Sequence, residues 1–178
     1  DGVVREVSLG KVGDRYFTEA AGIGLFADAL ALYGEGTNKH FLRGLYAMTR
    51  ILASFKAHRL HLDIDGDLHV ERAVMCTVSN IYRMAQGIPV APGAKLTDDE
   101  LDVVIVGDLK RSEVISYYRA IRAQVHLNLP KIRTLKAKEI RIETRRPENV
   151  HCDDRIVGTT PVTITVQPRA LKVMVDRL

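Results

Sequence analysis

The chain has little cysteine, no tryptophan and no long apolar run. Two cysteines, Cys76 and Cys152, in 178 residues do not suggest a disulfide framework and fit a reducing cytosol. The longest apolar stretches, such as Val103 to Val106, are strand-sized and far short of the roughly 18 residues a membrane span needs. Six histidines show no metal-ligand spacing such as H-x-x-x-H, and neither G-x-S-x-G nor a nucleophile triad is present. No fixed-period repeat and no low-complexity segment occurs. The chain opens Asp1-Gly2-Val3, which is neither a signal peptide nor a translation start, so it reads as a fragment or a processed chain.

What is present is ordinary for a globular protein. Hydrophobic residues make up 46% and charged ones 27%, enough for a real core in one domain, or one domain with a lobe. Net charge is +4, and the basic residues are concentrated. Lys131, Arg133, Lys136, Lys138, Arg141, Arg145 and Arg146 fall between positions 131 and 146. That stretch reads either as the solvated face of two strands or as an attractor for an anionic surface, lipid headgroup or nucleotide phosphate. Nucleic acid is disfavoured, because no aromatic residue is interleaved to stack on bases.

Residues 4–9 and 14–20 read as strands joined at Gly13-Asp14. A helix is expected from Leu25 to about Leu32, broken by Gly34-Glu35-Gly36. His40 to Lys56 is the most helix-like stretch, with Phe41, Leu45, Met48, Leu52 and Phe55 at 3–4 spacing. Alternation on either side of Asp65-Gly66 marks a tight hairpin over 61–70. Strands follow at 74–79 and 101–106, then a helix over 111–127 ended by Pro130. Beyond it the pattern is all strand: 132–136, 138–144, 149–153, 161–167 and 170–176. Such a run predicts an α+β domain dominated by antiparallel sheet, a β-sandwich or flattened barrel with a few helices.

Four segments carry candidate chemistry. Asp63-Ile64-Asp65-Gly66-Asp67 fails the calcium-loop spacing and fits a hairpin turn. Gly22-Ile23-Gly24-Leu25-Phe26-Ala27 fits the weak form of a dinucleotide fingerprint, yet the second parallel strand is missing. Its glycines fit equally well a tight turn and close packing on a sheet. Asp98-Asp99-Glu100-Leu101-Asp102 puts four carboxylates in five residues; they repel unless solvated or neutralised by a cation. Asp98 and Asp99 could offer oxygens to magnesium, or the segment is a solvated turn. Asp153-Asp154 ends a strand ahead of Gly158 and Pro161, and is a general base if it faces a cleft or an exposed turn if it does not.

Taken in order, these segments resemble the C-terminal domain of the diacylglycerol kinase and sphingosine kinase family, in its bacterial lipid kinase branch. The run covers Tyr16 to Gly24, then Val78-Ser79-Asn80, Gly87, and Ala91-Pro92-Gly93-Ala94 with the acidic turn into Leu101-Asp102. It ends with Asp153-Asp154, Thr160-Pro161 and Gln167-Pro168-Arg169-Ala170-Leu171. The resemblance implies a two-domain enzyme whose absent N-terminal domain binds ATP, while residues 1–178 form the substrate-side β-sandwich. The implied reaction moves the ATP γ-phosphoryl group to the hydroxyl of diacylglycerol or a related lipid, with Mg2+. It makes Asp153 the base and Asp98 the support of the magnesium ion, with carbonyls from about Lys95 and Glu100. The isolated chain is then expected to be inactive. The protein is expected to be cytoplasmic, peripheral to an anionic membrane through the basic stretch, with sheet edges in the C-terminal strands offering a route to a homo-oligomer.

The sequence departs from the family pattern at three positions in these turns. Asp99 and Asp154 stand where glycines are expected, and Arg155 stands where a glutamate is expected. Arg155 is expected to depress the pKa of Asp153, or to pair with it and block it. Two other readings stand beside the lipid kinase. One is a ligand-binding module without chemistry. The other is a kinase with a nucleotide acceptor, whose acceptor cleft would be polar where a lipid site carries a deep apolar pocket.

Overall fold

The computed structural model describes residues 2–33, 49–50, 53, 55–84 and 87–176. Its strands are β1 (Gly2–Val12), β2 (Arg15–Phe17), β3 (Ala20–Gly24), β4 (His58–Ile64), β5 (Asp67–Ser79), β6 (Leu101–Gly107), β7 (Ile132–Ala137), β8 (Glu139–Thr144), β9 (Asn149–Cys152), β10 (Arg155–Thr159) and β11 (Val162–Asp176). Helix α1 spans Leu25–Tyr33 and α2 spans Val114–Arg122. The helix expected over 40–56, and its proposed part in a lipid pocket, lie largely outside the described residues.

All the strand pairings are antiparallel, in the order β10-β9-β3-β5-β4-β8-β11-β1-β2, with β6 and β7 branching from β5. Strand β5 makes the curl. Its first half pairs β4, and its second half lies between β3 and β6. Two faces of the sheet therefore close over one core, a curled β-sandwich. Phe17, Leu60, Leu62, Val78, Val103, Ile140, Ile142 and Ile164 fill it, all at 1% exposure or less. Each comes from the inward face of an alternating strand, the period-2 signal of the sequence realised. Gly10 lies flat beneath the Phe17 ring, so that a Cβ there would sit 1.9 Å from Cζ.

The hairpin at Asp65-Gly66 forms as expected, with φ of 51° and 94° at its two turn residues, the signature of the turn that matches strand twist. The Asp65 carboxylate accepts hydrogen bonds from the N–H groups of Lys138 and Glu139, fixing the hairpin to β8. Gly22 and Gly24 lie inside β3, where an added Cβ would meet Cys76 O and Val74 O at 2.2 Å. They permit close packing on β5, which is the packing reading of the glycine-rich segment.

Several boundaries differ from expectation. The strand expected over 14–20 is broken at 18–19, because the Asp153 carboxylate takes the N–H groups of 18–20. Helix α2 stops at Arg122 instead of 127. Gln124 takes φ 62°, and the Gln124 and Val125 N–H groups bond back to Ile121 O and Ala120 O, a Schellman closure made without glycine. The two strands expected at 161–167 and 170–176 are one, carried through Pro168 by a bulge at Arg169, φ 51°. Residues 155–159, read as turn, are strand β10.

A sheet face that gathers two acidic turns

The pairing register sets one row across the outer face of the sheet: Ala20 faces Ser79, Ser79 faces Asp102, and Asp102 faces Lys136. Asp153 joins this row at its β3 end, its N–H donating to Ala20 O at 2.8 Å. The two acidic turns, far apart in sequence, thus reach the same end of the sheet. Three strand spacings separate Asp153 from Asp102, about 14 Å. That is too far for both to touch one reacting atom, and close enough to flank one cleft.

In the first turn the neutralising cation is Lys136. Its Nζ donates to Asp98 Oδ2 at 2.8 Å and to Asp102 Oδ2 at 3.2 Å. Burial pushes the Asp102 carboxyl above its ordinary range, against the pull of Lys136. The ammonium of Lys136 is held above its own usual range, mainly by the hydrogen bond to Asp98. Asp99 meets Arg169 at 3.8 Å. The Lys95 carbonyl accepts the Asp98 N–H at 3.4 Å, and Glu100 leads into β6. Among the described residues no group of three or more His, Cys, Asp or Glu side chains could hold a metal ion. Asp98 Oδ1, however, is buried without a hydrogen-bond partner. Magnesium commonly takes one or two carboxylates with substrate phosphate and water completing its shell, so this one oxygen fits such an ion.

In the second turn Asp153 sits at φ 50°, and Asp154 beside it is not the residue that takes the left-handed conformation. The Asp153 carboxylate accepts four hydrogen bonds: Glu19 N at 2.8 Å and Ala20 N at 3.2 Å on Oδ1, Thr18 N at 3.1 Å and Thr18 Oγ1 at 3.3 Å on Oδ2. Arg155, expected to engage Asp153, lies 3.9 Å from Asp154 instead, both side chains exposed. Behind the turn, His151 is fully buried, edge-on to Phe26 at 4.7 Å. Burial lowers its pKa to about 4.

A buried polar chain links the turns, and Asn80 is its centre. Its Nδ2 donates to Ser8 O at 3.0 Å and Thr18 O at 3.3 Å, and its N–H donates to Glu19 O. Ser8 N in turn donates to Leu96 O, in the first acidic turn, at 2.7 Å. The sequence pointed at Asn80 only as part of Val78-Ser79-Asn80, with no role. A polar residue directly after an apolar strand was the available signal. Beside Lys136 opens a cavity of about 310 Å³, lined by Ala91, Pro92, Val104, Leu127, Leu135 and Asp102 among others.

Four of the seven cations in the basic stretch are ion-paired. Lys131 pairs Glu113 at 2.6 Å, Arg133 pairs Glu71, Lys136 pairs both turn carboxylates, and Arg141 pairs Glu143 at 2.8 Å. No described helix is long and apolar enough to cross a membrane.

Residues 27–175, most of the chain, match the family model of the YegS C-terminal NAD kinase beta sandwich-like domain. The chain belongs to this family. Solved structures agree on the fold of this YegS C-terminal-like domain. A diacylglycerol kinase from Bacillus anthracis strain Sterne superposes with a TM-score of 0.64 at 22% identity, over 96% of this chain and 53% of that one. Two further structures from the same organism, whose diacylglycerol kinase assignment is provisional, give TM-scores of 0.71 and 0.70 at 22% and 23% identity. They too are covered over 57% of their length, against 96% of this chain. The chain therefore spans little more than half of the structures it resembles. No curated protein sequence matches it.

Proposed function

We propose that this domain is the substrate-side half of an ATP- and Mg2+-dependent lipid kinase that phosphorylates the hydroxyl of diacylglycerol or a related lipid. The observation that carries the reading is that two acidic turns reach one end of the sheet, with a cavity of mostly aliphatic walls beside the first. Phosphoryl transfer needs an oriented hydroxyl, a proton acceptor and neutralised phosphate charge. A lipid acceptor adds the need for an apolar wall, which Ala91, Pro92, Val104 and Leu135 supply. This favours a lipid over a nucleotide acceptor.

Asp153 is the proposed base. Its four donors already fill both oxygens, so an acceptor hydroxyl must replace one of them. The Thr18 hydroxyl is the one to yield: it is the longest contact, and it swings away on a single bond. The three backbone donors then keep Asp153 aimed. Asp98, through Oδ1, is the proposed support for magnesium, with the Lys95 and Glu100 carbonyls as further candidates. Bound there, magnesium would neutralise charge on the transferring phosphoryl group. ATP would be held by the nucleotide-binding domain outside this chain, so the chain alone is inactive on this reading.

The test is transfer of labelled phosphate from ATP to extracted lipids by the complete protein and its Asp153→Asn and Thr18→Val variants. Magnesium-dependent labelling, lost in Asp153→Asn and retained in Thr18→Val, is expected. Full activity in Asp153→Asn would remove Asp153 from the chemistry. A well-folded complete protein that labels no lipid would favour a binding module.

A further inference from the structure

We infer that the outer face of α2, with the shoulder that follows it, is a docking surface for an anionic lipid bilayer. The helix buries Tyr117 and half-buries Val114, Ala120 and Ile121 against the sheet. Its opposite stripe presents Ile115, Tyr118, Arg119 and Arg122, at i, i+3, i+4 and i+7. Ile115 is 58% exposed and Tyr118 52%. Past the helix, His126 is fully buried and holds Val90 O at 2.8 Å. That anchor leaves its two neighbours outside, Val125 at 53% and Leu127 at 39% exposure.

Charge decides what this face fits. Between 110 and 127 stand Lys110, Arg111, Arg119 and Arg122 against one acid, Glu113. Glu113 is already bound by Lys131 at 2.6 Å. Neither Arg119 nor Arg122 has an ion-pair partner among the described residues. Aliphatic tips, a tyrosine and unpaired arginines on one face are what an interfacial helix offers to headgroups and upper acyl chains. Elsewhere, the exposed Leu68 and Val70 on the β4–β5 hairpin share their surface with Asp63 and with Glu143, which already pairs Arg141, and the exposed Val4 and Met174, paired across β1 and β11, stand near Lys172, which Glu6 engages at 3.6 Å. In the basic stretch over 131–146, four of seven cations are engaged by carboxylates, and no large apolar side chain is exposed among them.

The surface also has a place in the proposed chemistry. Leu127 belongs both to the exposed shoulder and to the rim of the cavity beside Asp102 and Lys136. Docking on this face sets that cavity's mouth at the bilayer surface, so a lipid could enter without crossing water. This last step rests on the lipid kinase reading, whereas the docking itself does not.

The test is co-sedimentation of the complete protein with vesicles of phosphatidylcholine alone and of phosphatidylcholine mixed with phosphatidylglycerol. Binding is expected to the mixed vesicles and to fall with salt. Arg119→Gln with Arg122→Gln should weaken it about 30-fold, the loss of two surface cations. Ile115→Glu with Tyr118→Glu should weaken it at least about tenfold, and Leu68→Glu should leave it unchanged. All these positions are exposed, and circular dichroism checks that each variant folds. Unaltered binding in both α2 double variants would overturn the inference. So would self-association lost in Ile115→Glu with Tyr118→Glu and no vesicle binding, which would make the face a contact between copies. Because sedimentation needs neither nucleotide nor catalysis, its failure is separate from failure of the kinase assay.

Discussion

Replacing Asp153 should damage folding as well as any chemistry, and by a predictable amount. Its carboxylate closes the break between β2 and β3 with four hydrogen bonds, two of them to N–H groups of the half-buried Glu19 and the buried Ala20. A hydrogen bond to a charged group contributes about 1.5–3 kcal/mol when removed from one side, and less when long or solvated. Discounting the two Thr18 contacts as exposed leaves about 3 kcal/mol for Asp153→Ala. Alanine also sits poorly at φ 50°, which costs about 1 kcal/mol more. Asn keeps one acceptor oxygen and tolerates the left-handed conformation, so it should cost about 1–2 kcal/mol. Gly restores the conformation without the acceptors and should fall between them. For a domain of this size the alanine variant should melt about 8–16 °C lower. Equilibrium urea unfolding of the three variants gives the order Asn, Gly, Ala. The reasoning fails if Ala lies within about 1 kcal/mol of wild type, or if Gly is worse than Ala. An activity loss in Asp153→Asn beyond what its stability explains is then attributable to chemistry.

Three further outcomes are expected. Gly24→Ala should cost about 3 kcal/mol or more, because φ is 91° and the new Cβ meets Val74 O at 2.2 Å. Gly66→Ala, at φ 94° with open space around it, should cost only about 1 kcal/mol, and the contrast in urea midpoints checks the packing argument. His151, with its pKa lowered from 6.5 to about 4 by burial, binds its proton more weakly when folded. Its contribution is complete above pH 6.5 and is lost as pH falls toward 4. Thermal melts should therefore be steeper in pH across that window for wild type than for His151→Phe, and equal slopes would refute the assignment. Lys136→Met should cost about 1 kcal/mol at neutral pH, the ammonium being partly exposed. The cost should shrink in acid as Asp102, its carboxyl raised by burial, protonates, and an increase in acid would contradict the clamp.

Local chemistry was legible where it depends on neighbours in sequence. The Asp65-Gly66 hairpin, the apolar alternation of β4 and β8, and the helix after Gly24 follow from turn propensity and period alone. The ends that the sequence misplaced have non-local causes. The break at 18–19 exists because a carboxylate more than 130 residues away takes its N–H groups. Helix α2 ends in a Schellman closure at Gln124, a residue with no breaker signal. Strand β11 passes through Pro168 because it bulges at Arg169 against Ser8 of β1, whose Oγ accepts the Arg169 N–H. In the site, the two acidic turns and Asp98, Asp102 and Asp153 were visible as carboxylates. Their distance, their partners and the identity of the neutralising cation were not.

By itself the sequence determined the β-rich class, the ordered motifs that mark the family and which residues can carry charge or accept a proton. These depend on residue type and short-range pattern, which a local window of the chain contains. Only the tertiary structure decided that Lys136, from the basic stretch, is the counterion of the first turn, and that Asn80 and Ser8 tie that turn to the second. It alone left Arg119 and Arg122 unpaired while pairing Lys131, Arg133 and Arg141. Ion pairs and strand register are chosen by which strands lie side by side. That choice belongs to burial of the shared core across the whole sheet, a term no local window contains.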